Sequence, residues 1–402
     1  MGQKPSEFKI EELAGEGLFS GVEADDDLIS LENEIIPFKA DAISITSRAV
    51  SLDYVLRRIK NNTIQLNPEF QRNFVWNEQR KSQLIESMML RIPLPMFYVA
   101  EDQNGIWEVV DGLQRLTTIR NYILGPDGDG KGFKLKGLEF WGDKYDGLDF
   151  YNLEKDYNFV STVNNIMGTE LSFIIINPGT PEKAKRNIFK RINTGGMRLS
   201  DQEIRNALYQ GRATTLLNSL VKNDVFNITL GNTIRDDRMA GRELILRYLA
   251  FNLLGINHYL GDTDEFLSNT MRLLNGEIIK SLSFNIIIPS DKEILAKFEY
   301  LLSSIYEILG EHSFRKSLPG SSRKAPVNKA LFELWLNTIS EFSVDEVNHL
   351  ISKKHLLLIK YKKLLENVEF INSISRYASS VYGVKYRKSE LLKMLKEIVY
   401  VK

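Results

Sequence analysis

An apolar run ending Val109-Val110 stops at the acid and glycine pair Asp111-Gly112 and restarts as Leu113-Gln114-Arg115-Leu116-Thr117-Thr118. These residue types in this order predict a strand, a tight turn and a helix start. A helix start aims unpaired backbone N–H groups and the positive end of the helix dipole at one spot, which suits a phosphate. Arg115, three residues after the turn glycine, adds a planar cation that matches an anion's oxygens. A plainer reading stays open on these residues alone, in which Asp111 caps the helix and Arg115 is solvated.

Three further segments carry groups of the same kind. Asn67-Pro68-Glu69-Phe70-Gln71-Arg72, with Trp76, sets Arg72 in a turn ahead of an amphipathic helix. Asn193-Thr194-Gly195-Gly196 is a polar turn whose glycines let backbone approach a ligand closely. It ends a basic stretch: from Lys183 to Arg205 there are seven basic residues and two acidic ones. Arg205-Asn206 then sit on a helix opened by Ser200-Asp201-Gln202-Glu203, a capping box. Each also has a structural reading, as a stapled turn, a helix stop or a solvated basic face.

Other chemistries are poorly served. Gly125-Pro126-Asp127-Gly128-Asp129-Gly130-Lys131 has P-loop spacing, but Gly132 stands where the metal-binding hydroxyl belongs and the segment follows a helix. The four histidines lack paired metal-ligand spacing, and no G-x-S-x-G elbow is present. The absence of cysteine excludes disulfides, thiol catalysis and cysteine-ligated zinc. Charge over the 402 residues balances at 52 basic and 52 acidic side chains, so no global field selects nucleic acid or membrane. The first 40 residues carry ten acids against three lysines, which leaves the remainder mildly basic. Residues 351–402 hold twelve Lys/Arg, four Glu and several tyrosines, compatible with a nucleic-acid backbone or with a solvated helix face. No apolar run of membrane-spanning length and no signal-peptide core occurs, so a cytoplasmic protein without membrane contact is expected.

The elements that must position these groups follow from periodicity. Leu52, Val55, Leu56 and Ile59 mark a helix, Thr63 to Leu66 a strand, and Asn77 caps a second helix that stops before Ile92-Pro93-Leu94-Pro95. Met96 to Ala100 and Ile106 to Val110 read as strands, the second feeding the Asp111-Gly112 turn. Residues 125–169 read as an irregular excursion or small hairpin, and Leu171 to Asn177 as a buried strand. Beyond about residue 215 the signal is helical, with caps at Ser290 and Ser343. The expected organisation is an acidic flexible arm over 1–44, an α+β domain over 45–215 and an α-helical domain over 216–402.

Taken in order, Phe70-Gln71-Arg72 with Trp76, Ile85-Glu86-Ser87, Ile92-Pro93-Leu94-Pro95, Asp111 to Thr118, Arg191 to Gly196 and Gln202 to Ala207 form a series. It resembles the GmrS-type N-terminal domain of GmrSD modification-dependent restriction systems. The resemblance implies a ParB/sulfiredoxin-like α+β core with a D-G-Q-Q-R signature that binds and hydrolyses nucleoside triphosphates. Here the signature is Asp111-Gly112-Leu113-Gln114-Arg115, with Leu113 where the family has glutamine. The family's HNH nuclease motif is absent from this chain.

The implied protein is a nucleotide-binding, NTP-hydrolysing sensor subunit of a prokaryotic anti-phage or restriction system that acts with a separate HNH-type nuclease on modified or phage DNA. Asp111 and Arg115 would be catalytic, Asp111 also orienting Mg²⁺. Arg72, Gly112, Gln114, Thr117, Asn193, Thr194, Gly195, Gly196, Arg205 and Asn206 would bind the nucleotide. Two alternatives stand beside this one: a DNA-binding or protein-interaction module without turnover, and a metal-dependent DNA nickase. Self-association into a homo-oligomer is left open.

Overall fold

The computed structural model describes residues 9–13, 18–24, 43–66, 76–192, 200–279 and 286–400. They fall into two compact units, Phe38–Leu199 and a second made of Met1–Pro37 with Ser200–Lys402. The division comes earlier than the expected boundary at 215. Arg72 and Asn193 to Gly196 lie outside the described residues.

The expectation of a flexible arm over 1–44 is corrected in part. Ile10–Leu13 (β1) and Leu18–Glu23 (β2) pair antiparallel. Val22 is buried in the core of the helical unit, and the Glu23 N–H donates to Val327 O at 2.8 Å. Gly21 (φ +83°) permits this, because a Cβ there would stand 2.0 Å from Thr233 O. Pairing with distant chain overrides a local composition that shows no period.

The first unit is built on a five-stranded mixed sheet in the order β3-β7-β5-β6-β4. Its strands are Ile45–Ser51 (β3), Ile64–Gln65 (β4), Phe97–Glu101 (β5), Trp107–Asp111 (β6) and Glu170–Ile176 (β7). β3 runs antiparallel to β7, β7 parallel to β5, β5 antiparallel to β6, and β6 parallel to β4. Leu171, Phe173 and Ile175 are buried while Glu170 and Ser172 are exposed, the period of two that a half-buried strand requires. Helices Leu52–Lys60 (α1), Glu78–Met89 (α2) and Leu113–Ile123 (α3) contribute Leu52, Val55, Ile85, Met88, Leu116 and Ile119 to one core with Phe97, Trp107 and Phe173. Asn77 caps α2 as expected, accepting from Arg80 N at 2.8 Å.

Residues 125–169 are not a hairpin. They contain helices Gly142–Tyr145, Phe150–Lys155 and Val160–Met167, which bury Tyr145, Phe150, Leu153 and Ile166 in the sheet core. Each is too short to print a helical period in the sequence; tertiary burial makes them helical. Glu86, buried on α2, anchors the start of this stretch by accepting the N–H groups of Glu139, Phe140 and Trp141 at 2.8–2.9 Å. Glu86→Ala is expected to cost about 3 kcal/mol, because three backbone N–H donors lose one charged, buried acceptor. Faster amide exchange at residues 139–141 together with a lower melting temperature would bear this out, and unchanged exchange would refute it.

The second unit is helical from Ser200 onward. Capping boxes form at Ser200/Glu203, Ser290/Glu293 and Ser343/Glu346, as the sequence predicts. Its core joins Leu244, Leu246 and Leu249 of helix Ala240–Leu254 to Phe298, Leu301 and Ile305 of helix Asp291–Leu309 and to Leu331 and Trp335 of helix Lys329–Ile339. No helix among the described residues is long and apolar enough to cross a membrane.

Candidate anion site at the start of helix α3

β6 ends at Asp111 and α3 begins at Leu113, so one residue makes the turn. That residue must be glycine. Gly112 has φ +93°, and a Cβ on it would lie 2.4 Å from Phe97 Cδ1. Gly112 is also the N-cap of α3, and no side chain among the described residues accepts from the first turn. The reading in which Asp111 caps the helix is therefore set aside, and the first-turn N–H groups meet no side-chain acceptor among the described residues.

Asp111 instead pairs with Arg115: Nη2 donates to Oδ2 at 2.9 Å. The Asp111 side chain is 41% exposed and the Arg115 side chain 12%. Arg115 is not solvated. Its guanidinium donates to Pro95 O, to Met96 O at 3.1 Å and to Asp111, and lies 4.4 Å from the Phe97 ring centroid. Burial lowers its pKa and Asp111 opposes the shift, but an arginine stays charged regardless. The side chain thus clamps the Pro95-Met96 segment onto the turn and orients Asp111, leaving Oδ1 of Asp111 without a partner among the described residues.

Around this junction Gln114 and Thr117 are half-buried, and the Gln114 amide has no partner among the described residues. Leu113 packs on the sheet core, so it occupies a core-facing position and not a ligand-facing one. The carbonyls of Pro95 and Met96 and the Phe97 ring were not singled out from sequence. Ile92-Pro93-Leu94-Pro95 marked only a helix stop, though a proline-held carbonyl two residues before a strand start is a rigid acceptor.

Arg205 and Asn206 belong to the helical unit, on helix Asp201–Leu208. The expectation that Arg205 neutralises charge on a ligand is corrected. Its side chain is 3% exposed, and it donates from Nε to Gln202 Oε1 at 2.9 Å and from Nη1 to Asp264 at 2.6 Å. Glu243 stands 3.8 Å away and also approaches Arg247 at 3.9 Å and Lys329 at 3.4 Å. Arg247 in turn meets Glu333 at 2.8 Å, and Glu333 meets Arg387. Asn206 is fully buried, with neither amide atom bonded among the described residues. Arg238 pairs with Glu203 at 2.9 Å, a structural tie.

For a metal, the described residues hold no group of three His, Cys, Asp or Glu able to bind one. Mg²⁺ is commonly held by one or two carboxylates with the remaining positions taken by phosphates and water. Asp111, half-exposed with one free oxygen beside open N–H groups, fits that demand.

No curated protein and no solved structure matches the chain. One family model does: GmrSD restriction endonuclease, N-terminal domain, over residues 54–210. The match takes in the β6–α3 junction with Asp111 and Arg115 and ends just past helix Asp201–Leu208. Over residues 54–210, therefore, the chain carries an N-terminal domain of the GmrSD restriction endonuclease family.

Proposed function

We propose that this protein binds a nucleoside triphosphate with Mg²⁺ at the start of α3 and hydrolyses it, as the sensor subunit of a prokaryotic anti-phage or restriction system that acts with a separate nuclease. The observation that carries the reading is an uncapped helix start beside a half-exposed carboxylate, inside the family-matched segment. Open N–H groups at Leu113 and Gln114 suit phosphate oxygens. Asp111 Oδ1 would hold the metal, while Gln114 and Thr117 offer polar groups one turn apart. On this reading Arg115 is a positioning residue. Arg72 and Asn193 to Gly196 complete the proposed site from the sequence, on a ParB/sulfiredoxin-like frame to which the mixed sheet is suited. Metal-bound phosphate supplies the reacting group; the chain's own share is to orient it and to neutralise charge.

Calorimetry of the purified chain with ATP, GTP, CTP and UTP in Mg²⁺ tests the proposal. Saturable binding of at least one is expected. Arg115→Ala should weaken it roughly tenfold or more, about 1.4 kcal/mol, by releasing Asp111 and the Pro95-Met96 segment. Arg115→Lys should not restore it, since an ammonium cannot replace a guanidinium that serves three acceptors. No NTP binding, or an Arg115→Ala protein that binds like the parent, would overturn the reading.

A DNA-binding module without turnover is the second reading. Lys353, Lys354, Lys362 and Lys363 are exposed around helix Lys354–Glu366 and make no ion pair among the described residues. A salt-dependent gel shift with unaltered NTP levels would favour it.

A further inference from the structure

The helical unit contains a cleft of about 470 Å³ lined entirely by residues from Phe251 onward, beyond the family-matched segment. Its volume lies within the range of small-molecule sites. Part of its wall is apolar, from Phe251, Leu254, Leu334 and Val384. Part is charged. Lys297, Arg387 and Lys388 share the lining with Glu333 and Glu341, so three cations face two carboxylates and one positive charge is in excess when His258 is neutral.

The ion pairs identify the excess charge. Arg387 is held by Glu333, and Lys388 stands 2.6 Å from Glu341. Lys297 meets no carboxylate among the described residues and touches only Asn252 Oδ1, at 3.4 Å. The residue is exposed in the lining, yet surrounding protein partly desolvates the ammonium and draws its pKa below the ordinary lysine value. An anion arriving there would relieve that cost. Two amides share the lining with it. Asn252 keeps its Nδ2 unengaged, and Asn337 spends Nδ2 on Tyr248 O and Glu333 O while Oδ1 remains.

We propose that this cleft binds a small organic anion, its phosphate or carboxylate held by Lys297 and its apolar or ring body set against Phe251, Leu254 and Val384. The floor explains why the site can discriminate charge. Glu333 is held by Arg247 and Arg387, and Arg387 spends Nη1 on Ser373 O and Ala378 O, so Glu333 does not stand as an unpaired carboxylate against an anion and Arg387 does not compete with Lys297 for it. The proposal is independent of the α3 site, which belongs to the other unit.

Full-length Arg115→Ala protein, with the α3 site weakened, is titrated calorimetrically with AMP, succinate, inorganic phosphate and adenosine. AMP or succinate should bind saturably, and Lys297→Gln added to that background should weaken the binding roughly fivefold or more without lowering the melting temperature. Asn252→Ala should give a second, separate loss. In the otherwise parental chain, Lys297→Gln should leave NTP binding at α3 unchanged, which separates failure here from failure there. The assignment is overturned if none of the four probes binds, or if Lys297→Gln and Asn252→Ala both bind like the background. Inorganic phosphate or adenosine binding as tightly as AMP would overturn it too, by removing the body or the charge from the recognition.

Discussion

Gly112→Ala is expected to abolish NTP binding and to cost the α+β unit about 3 kcal/mol, the sum of left-handed strain and forced repacking. Two facts combine at this position. The backbone sits at φ +93°, and the new Cβ would fall 2.4 Å from Phe97 Cδ1. Phe97 cannot yield easily, because it is fully buried and stacked on Phe173 with ring centroids 5.2 Å apart. It also carries the Arg115 guanidinium on its face. A shift of Phe97 therefore disturbs the clamp that orients Asp111, so stability and binding should fall together. Chemical denaturation and calorimetry on the same preparation check this. An alanine variant that retains both would mean the turn can adopt another conformation, and would remove the argument for a rigid site.

The second large effect is expected in the helical unit. Glu333→Ala should destabilise it by about 3–5 kcal/mol, the usual consequence of removing one partner from a buried charged group. Glu333 is buried and engages two guanidiniums, Arg247 at 2.8 Å and Arg387. Arg387 is itself fully buried, with Nη1 held by Ser373 O and Ala378 O at 2.7 and 2.8 Å. Without Glu333, Arg387 keeps its carbonyls and loses its counter-charge, and Arg247 is left with Glu243 at 3.9 Å. Urea denaturation followed by a helical signal reads the loss, and Glu333→Gln should recover part of it by keeping two polar atoms in place. A Glu333→Ala protein as stable as the parent would show that water or Glu243 can take over the carboxylate's part.

Much of this architecture was legible because its signals are local. The caps at Asn77, Ser200, Ser290 and Ser343 depend on side-chain oxygens three residues from the backbone N–H groups that donate to them, and the Asp111-Gly112 turn announces itself by an apolar run that breaks at a glycine. The parts that were not legible depend on partners far away in sequence. Arg115 reads as an anion ligand until the carbonyls of Pro95 and Met96, some twenty residues back, are seen to occupy it. Arg205 reads as a site residue until Asp264, 59 positions on, takes its charge. The helices within 142–167 and the β1–β2 pair likewise gain their order from surfaces they bury against, which no window of neighbouring residues contains.

The buried ion pairs of the helical unit have an evolutionary consequence. Asp264, Arg205, Glu243, Arg247, Glu333 and Arg387 alternate in sign as links of one chain, reaching from the last matched segment to the lining of the cleft. A link lost singly strands its neighbours, so drift at any of these positions is tolerated only when an adjacent one changes with it. The segment that marks the family and the cleft that lies outside it should therefore be inherited as a linked set, and a protein that kept the first while losing the second would need to rebuild the charges between them.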